Sequence, residues 1–310
     1  MKMVKMAGLI YQLTNPQIKD KIWAGDRLDK QIRKRGKIGE LWLISAIRGS
    51  ESLVDGSYPL SLFYQEVPEF FCNYPKKTYP NLHKIIDAGQ PLSLQVHPDD
   101  QYAKKKYNSL GKNEAWFVIT RGRKPFLIGA KSLDFIEHMN KITNENINDY
   151  VNSYALQKGD LAFIPAGTIH SIPEKSLVYE IQQTSDLTFR IYDFDRVDKY
   201  GKKRKLHLQE AKKAIKPELK PVIVKKDRGV ARQLLLKNEH FHLTRIEVDL
   251  EYILLPKEDV YWYEVVILEG IGIMAGTKFK KFDAFIISGH LKKPILFIAM
   301  NAIILINEVR

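Results

Sequence analysis

A single cysteine, Cys72, stands among 310 residues. One thiol cannot build a disulfide framework and cannot supply a cysteine-based zinc site. The opening segment, MKMVKMAGLIYQLTN, lacks both an apolar stretch of signal-peptide length and a small-residue cleavage site, so no secretory signal is read there and a cytoplasmic location is expected. Long apolar runs are missing as well. The longest, PILFIAMNAIILIN, is too short for a bilayer span and Asn301 interrupts it, which predicts buried strands and no membrane association. The net charge of +13 comes without an RNA-binding sheet signature or zinc-finger spacing. Its lysines form short clusters, such as Lys104 to Lys106 and Lys280 with Lys281, and no single stripe. Solvated surface is therefore expected rather than a nucleic-acid partner, and the charge also suits a phosphorylated small molecule.

What is present describes a globular protein of two domains. Hydrophobic residues make up 45% and charged residues 27%, and the length exceeds one ordinary domain. WAGDRL reads as a turn, DRLDKQIRKRG as a helix, and KIGELWLISAI as an alternating strand with Trp42 on one face. ESLVDGSYPLSLFYQEVPEFFCNYP, rich in proline, glycine and aromatics, reads as loops and short helix packed on a sheet. KPFLIGA is a strand, and DFIEHMNKITNENINDYVNSY is helical or loop material. TFRIYDFD alternates strictly, and an amphipathic helix follows with Leu208, Ala211 and Ile215 on one face. From about Val222 many short strands with glycine turns predict a sandwich or barrel. There VVILEGIGIMAG with KKFDAFIISG loosely repeats FVITRGRKPFLIGA with QKGDLAFIPAG, as a second copy of one barrel unit that keeps the turns. His290 in that copy has no accompanying ligand pattern. The expected division is 1–221 and 222–310.

The chemistry concentrates in QPLSLQVHPDDQYAKKKYNSLGKNE, residues 90–114. It opens as a strand with Gln95 and His97 at alternate positions, hence on one face. Pro98 and the two aspartates end that strand, and DDQYAKKKYN reads as a short helix with an aspartate cap. Glu114 then heads the apolar strand EAWFVI. Further on, ALQKGDLAFIPAGTIHSI holds the pattern G-x5-P-x-G-x2-H from Gly159 to His170. GD makes a turn, LAFI a buried strand, PAG a second turn, and His170 begins the next strand. Gln95, His97, Glu114 and His170 thus form a candidate ligand set. Two imidazoles and a carboxylate suit zinc, and the amide oxygen is a hard, weak fourth ligand that leaves the ion accessible. Taken singly, each of these residues has an ordinary structural reading; their joint occurrence is what points to a metal.

This pairing of motifs resembles that of the cupins, small barrels that hold a metal between two such motifs, except that Gln95 stands where the usual first histidine would be. That departure, with PLSLQVHPDD, AGTIHSI and FRIYDFDR, resembles the type I phosphomannose isomerases, also called mannose-6-phosphate isomerases. IWAGDRL, KIGELWLIS, HKIIDAG, GKNEAWFVI, YEIQQTSDLTFRIYDFDR and KKRKLHL follow in family order, so the resemblance covers most of residues 20–210. It implies a mainly β fold of two cupin-type barrels of jelly-roll kind, the first elaborated by short helices and the second metal-free. It implies one zinc per chain on Gln95, His97, Glu114 and His170, and a sugar phosphate as partner, in a monomer or homodimer. Arg190 matches the active-site arginine, and Lys112, Ser93 and Lys84 match pocket positions. His83 replaces an expected phenylalanine and should affect packing, since Lys84 beside it would face the other way.

The implied reaction interconverts mannose 6-phosphate and fructose 6-phosphate through an enediolate. Arg190 stays charged, so it suits an electrostatic clamp better than a base. Lys112 is a candidate for proton transfer, and metal-bound water is an equal candidate. Ser93, Lys84, Lys112 and Arg190 are the nameable phosphate donors. The ordinary alternatives are that Arg190 pairs with Asp193 or Asp195, that Lys84 and Lys112 are surface lysines, and that Ser93 is a small polar residue. Asp99 and Asp100 are assigned to capping, and Trp42, Trp116 and Tyr192 to the core. An isomerase of another sugar or sugar phosphate, and a non-catalytic sugar-binding or regulatory cupin, are the rival readings.

Overall fold

Strands dominate residues 8–32 and 37–310, the residues that the computed structural model describes. The first seven residues, part of the segment read for a signal peptide, and residues 33–36 of DRLDKQIRKRG lie outside the described residues; the described helix there is Arg27–Ile32. The protein is mainly β with short helices. Its contacts divide it into two interleaved units: residues 1–17, 42–82 and 227–310 in one, residues 18–41 and 83–226 in the other. The sequence reading draws a single boundary after residue 221. The structure differs because Ile10–Thr14 pairs with Ala284–Ser288, Ile10 opposite Ile287, and with Leu53–Val54 on its other side. Such pairings between distant segments leave no local trace.

In the unit built on residues 83–226, two sheets make the barrel. One runs Val222–Val224, Leu161–Ile164, Glu114–Thr120, Ser176–Gln183, Asn81–Ala88, Ile38–Ile44, Gln17–Asp20; the other runs Val151–Tyr154, Phe126–Ala130, His170–Ser171, Leu94–Val96, Phe189–Tyr192. Trp116, Val118 and Val178 of the first share one buried core with Phe126 and Ile128 of the second. Facing sheets with interdigitated side chains are the jelly-roll arrangement. The opposite face of the second sheet offers Leu94, Val96, Phe189 and Ile191 to Phe135, Met139, Ile147, Ala211 and Ala214, which come from the short helical segments. Burying each such large side chain contributes roughly 1.5–3 kcal/mol. The period of two then decides what reaches the barrel interior. With Leu94 and Val96 turned to the helices, Gln95 points the other way, into the barrel.

TFRIYDFD alternates for eight residues, yet the strand is only Phe189–Tyr192. Phe194 and Asp195 take φ of 53° and 52°, the left-handed region, and the chain turns away. KIGELWLI alternates in sequence but is buried at every position of Ile38–Ile44, so both of its faces are covered.

The other unit carries a nine-stranded sheet in the order Arg232–Lys237, His242–Leu254, Ile295–Val309, Trp262–Met274, Ala284–Ser288, Ile10–Thr14, Leu53–Val54, Tyr58–Pro59, with Thr277–Lys280 also paired to Trp262–Met274. The aromatic-rich segment forms a helix, Leu60–Glu66, and a 3-10 turn, Pro68–Phe71. Phe71 meets Trp262 edge to face with ring centres 5.1 Å apart. The repeat read in the sequence is visible in the backbone. Gly159 N donates to Val118 O at 2.8 Å, and Val118 N to Asp160 O at 3.0 Å. Phe282 N and Ile267 make the matching pair with Asp283 at 2.7 and 2.9 Å. Each aspartate also accepts from the backbone three residues before it, Gln157 N and Lys280 N.

PILFIAMNAIILIN lies in one strand, Ile295–Val309, and is not buried throughout: Leu296, Ile298 and Met300 are exposed, the last by 66%. No described helix is long and apolar enough to cross a membrane.

Candidate metal centre and adjoining cavity

Three turns hold the ligand set. Asp99 caps the helix Asp100–Tyr107 by accepting from Tyr102 N at 2.9 Å, as its position in PDD predicts. Asp100 reaches back across eleven residues to accept from Gly111 N at 2.7 Å, and Lys112 N donates to Pro98 O at 3.0 Å. These bonds fix the loop that delivers Lys112 and Glu114. Gly167, with φ of +98°, lets the PAG turn fold so that its N–H donates to His97 O at 2.8 Å. That bond ties the two ligand-bearing motifs together.

His97, Glu114 and His170 converge, all buried, with ligand atoms within 4.8 Å of one another. Glu114 comes from one sheet and His170 from the other, where it pairs with Gln95. His97 Nδ1 donates to Leu187 O at 2.7 Å and His170 Nδ1 to Thr168 O at 2.9 Å. With the proton committed at Nδ1, each Nε2 presents its lone pair inward, as metal-binding imidazoles do. Each Nε2 lies 3.2 Å from a different Glu114 oxygen. Among the described residues neither oxygen has a partner in hydrogen-bonding geometry, although both are buried. An unsatisfied buried carboxylate facing two lone pairs is costly unless a cation joins them. Lys112 supplies one positive charge, its Nζ 2.8 Å from Glu114 Oε2 and 2.9 Å from His97 Nε2. Gln95 Nε2 stands 3.3 Å from His170 Nε2, and Ser93 Oγ donates to Gln95 Oε1 at 3.1 Å. Turning the amide over exchanges its oxygen and nitrogen, brings a carbonyl oxygen into the set and keeps a bond to Ser93. The donor set of two imidazoles, one carboxylate and an amide therefore fits a divalent cation.

The electrostatics agree. Burial, then the Lys112 ammonium, push the His97 ring down to about 3. Burial likewise lowers His170. Burial opposes the Glu114 charge, but Lys112 and the two imidazoles outweigh it and hold the carboxyl well below its usual range. The site thus holds neutral rings and an ionised carboxylate, the protonation states that ligation requires.

Beside it lies a cavity of ≈ 60 Å³ lined by Ser93, Gln95, Lys84, Lys112 and Arg190, and also by Lys21, Glu40, Glu180, Asp186 and Arg204. All the positions singled out in the sequence as substrate-binding meet here. Lys84 and Lys112 are 3% and 4% exposed, so neither is a surface lysine. Lys84 Nζ is 3.4 Å from Glu180 and 4.0 Å from Glu40. Burial works against its charge, yet those two carboxylates raise its pKa above the ordinary range. Arg190 pairs with neither Asp193 nor Asp195. Asp193 is taken by Arg196 and Arg204, and Asp195 by Lys203 and Tyr192. Arg190 Nε donates to Lys205 O at 3.2 Å, and no carboxylate lies within ion-pair distance among the described residues. Trp116 is core, as expected, but also braces the site: Nε1 donates to Glu180 at 2.9 Å and the ring stands edge-on to His170. Trp42 and Tyr192 are buried. His83 is fully buried and bonded to the Tyr179 hydroxyl at 2.7 Å, a packing role.

The sequence reading missed Glu40, Glu180 and Asn113. Asn113 looks like a turn residue, but its Nδ2 donates to Gln183 Oε1 at 2.8 Å and its Oδ1 accepts from Ala166 N at 2.9 Å. It locks the loop before Glu114 to the turn before His170. Glu180 lies inside the apolar run SLVYEIQQ, and a charge there was the available signal.

Comparison with known proteins places this geometry. A profile for the type I phosphomannose isomerase catalytic domain matches residues 14–115. A mannose-6-phosphate isomerase of Streptococcus mutans is 38% identical over 205 residues, 63% of this chain and 64% of that protein, so the match spans just under two thirds of that relative's length. YvyI of Bacillus subtilis is 29% identical over 294 residues, 89% of this chain and 92% of its own. The crystal structure of a mannose 6-phosphate isomerase from Bacillus subtilis superposes with a TM-score of 0.86 at 25% identity, covering 97% of this chain and all of that one. The cupin-type fold, the convergence of the ligand motifs and these matches agree: the chain is similar to the type I phosphomannose isomerases in sequence and in fold.

Proposed function

We propose that the chain is a zinc-dependent aldose-ketose isomerase that interconverts D-mannose 6-phosphate and D-fructose 6-phosphate through an enediolate. The observation that carries this reading is the charge of the cavity. Lys21, Lys84, Lys112, Arg190 and Arg204 bring five positive charges to its lining, against three negative charges from Glu40, Glu180 and Asp186. Arg190 among them has no carboxylate within ion-pair distance among the described residues, which suits a phosphate dianion beside a cluster suited to a metal. His97 and His170, through Nε2, Glu114 and the Gln95 amide oxygen would hold one zinc per chain. When bound, that ion supplies Lewis-acid stabilisation to negative charge developing on oxygen.

The chain's own residues do the rest. Arg190, with no carboxylate within ion-pair distance among the described residues, offers its guanidinium to the phosphate or to the developing enediolate. Lys84 and Ser93 add a fixed cation and a hydroxyl donor. Lys112, between His97 and Glu114, is placed to carry a proton at Nζ between the substrate's adjacent carbons or oxygens. In the narrow, partly enclosed cavity these charges are screened less than they would be at the open surface. A cytoplasmic location belongs to the same proposal.

Assays with mannose 6-phosphate, unphosphorylated mannose and other aldose phosphates test the substrate. The proposal expects mannose 6-phosphate to be preferred by kcat/KM. Equal or better turnover of the free sugar would remove phosphate recognition from the account, and binding without turnover would favour a non-catalytic sugar-binding protein.

A further inference from the structure

One face of the nine-stranded sheet carries an apolar stripe with no cover. Ile253, Ile271, Ile273, Leu296, Ile298 and Met300 are 38–66% exposed. They belong to three adjacent strands, His242–Leu254, Ile295–Val309 and Trp262–Met274, and the register makes them neighbours: Ile273 opposite Ile298, Ile271 opposite Met300, Ile253 opposite Leu296. The strand faces that turn inward, Tyr252, Phe297, Ala299 and Met274, belong to the core, so the outward row is a second apolar surface and not a misplaced first one. Leu250 and Leu255 extend the exposed apolar surface nearby, at 77% and 65% exposure.

The edges of the stripe carry opposite charges. Lys278 pairs with Ile273, and Lys280 with Ile271, on one side; Glu251 pairs with Ile298 on the other, and Asp249 stands in the bulge just before it. One row therefore reads Lys278, Ile273, Ile298, Glu251 across four strands. None of these four charged residues forms an ion pair among the described residues, and all are exposed.

We propose that this face is the interface of a homodimer, with a two-fold axis running parallel to the strands. The charge pattern selects the occupant and the axis. A rotation about an in-plane axis along the strands reverses left and right, so the lysine edge of one copy lies over the Glu251 edge of the other. An in-plane axis across the strands would set lysines on lysines. Aligned packing of two sheets near −30° is also a preferred geometry. The area is sufficient. A fully exposed aliphatic side chain presents roughly 100 Å² of transferable surface, so the stripe and its two leucines offer about 400–500 Å² per copy. Interface cores are about 60% apolar, which brings the full patch to roughly 700–800 Å² per partner, the standard size for a stable dimer. A contiguous apolar patch of this extent falls in the range of the largest patch on a monomer's surface, which is often a functional one.

Sedimentation equilibrium of the intact chain over a range of concentrations tests the proposal. A species of twice the 35.9 kDa chain mass is expected. Ile298→Asp enters an isologous interface twice, and should weaken association by roughly a thousandfold, about thirtyfold at each copy. Glu251→Lys should weaken it too, and Glu251→Lys combined with Lys278→Glu should restore it, because the exchanged charges still meet across the axis. These surface charge changes leave the fold intact, as circular dichroism would verify. A monomeric wild-type chain at about tens of micromolar would overturn the dimer, as would an Ile298→Asp chain that dimerises like wild type. A wild-type monomer that instead floats with lipid vesicles would assign the stripe to a membrane surface and equally overturn it. A dimer whose double charge exchange is no tighter than Glu251→Lys alone would overturn the proposed axis.

Discussion

Replacing Lys84 by methionine separates the structural from the chemical role of the buried charges. Methionine keeps most of the aliphatic stem and removes the ammonium that stands 3.4 Å from Glu180 and 4.0 Å from Glu40. The Lys84 and Glu180 side chains are 4% and 5% exposed, so the stranded carboxylates gain little from water. Removing one partner of a buried ion pair costs about 3–5 kcal/mol, and Lys112, 4.0 Å from Glu180, relieves part of it. A loss of about 3 kcal/mol is expected, or roughly 6–12 °C in melting temperature for a chain of this size. The pH dependence has a definite sign. The folded-state pKa of Lys84 is raised by its two carboxylates against the opposing effect of burial. Its stabilisation is therefore complete below the unfolded lysine value of about 10.4 and is lost only as pH rises through the folded value above it. On the acid side, burial and the Glu114 charge already raise Glu180, so the variant recovers stability as the stranded carboxylate takes a proton. Lys84→Met with Glu180→Gln should return to within about 1 kcal/mol of wild type by thermal or urea unfolding. Isomerase activity should not return with it: kcat/KM should remain about a hundredfold down, the scale of one lost electrostatic donor. Recovery of activity together with stability would refute the assignment of Lys84 to substrate and leave it a structural lysine.

Asn113→Ala should cost about 2–3 kcal/mol by leaving Gln183 Oε1 and Ala166 N without their partner, and should lower metal affinity by roughly 10–100-fold in competition with a chromogenic chelator. Asp99→Ala removes the helix cap and its ion pair with Lys216, and should cost about 1 kcal/mol in urea unfolding with kcat unchanged. Asp193 has its charge opposed by burial but held by Arg204 and Arg196, which depress its pKa overall. Its contribution should be complete above the unfolded aspartate value of about 3.9 and vanish as pH falls through the lower folded value, so Asp193→Asn should lose its penalty only in strong acid.

The convergence of Gln95, His97, Glu114 and His170 was legible in the sequence because each lies in a short motif whose turns are local. PDD caps a helix, PAG bends at Gly167, and a period of two puts Gln95 and His97 on one face. The roles of Asn113 and Glu180 were not legible, because they depend on partners about 50–70 residues away that only the sheet pairing brings close. The same holds for the interleaved units, where Ile10–Thr14 joins a sheet formed mostly by the last third of the chain. Alternation in TFRIYDFD overstated its strand because periodicity does not register the left-handed residues Phe194 and Asp195. The exposed stripe on Ile295–Val309 was hidden for the opposite reason: a continuous apolar run gives no hint that one of its faces is bare.

The central claim is that His97, Glu114, His170 and Gln95 hold a zinc on which isomerisation of mannose 6-phosphate depends. Metal content and coupled isomerase rate, measured on the same purified sample before chelation, after it, and after adding zinc back, test this directly. One zinc per chain, loss of activity with the metal, recovery with zinc, and neither binding nor activity in His97→Ala are expected. Full activity in the metal-free protein, or in His97→Ala, would contradict it.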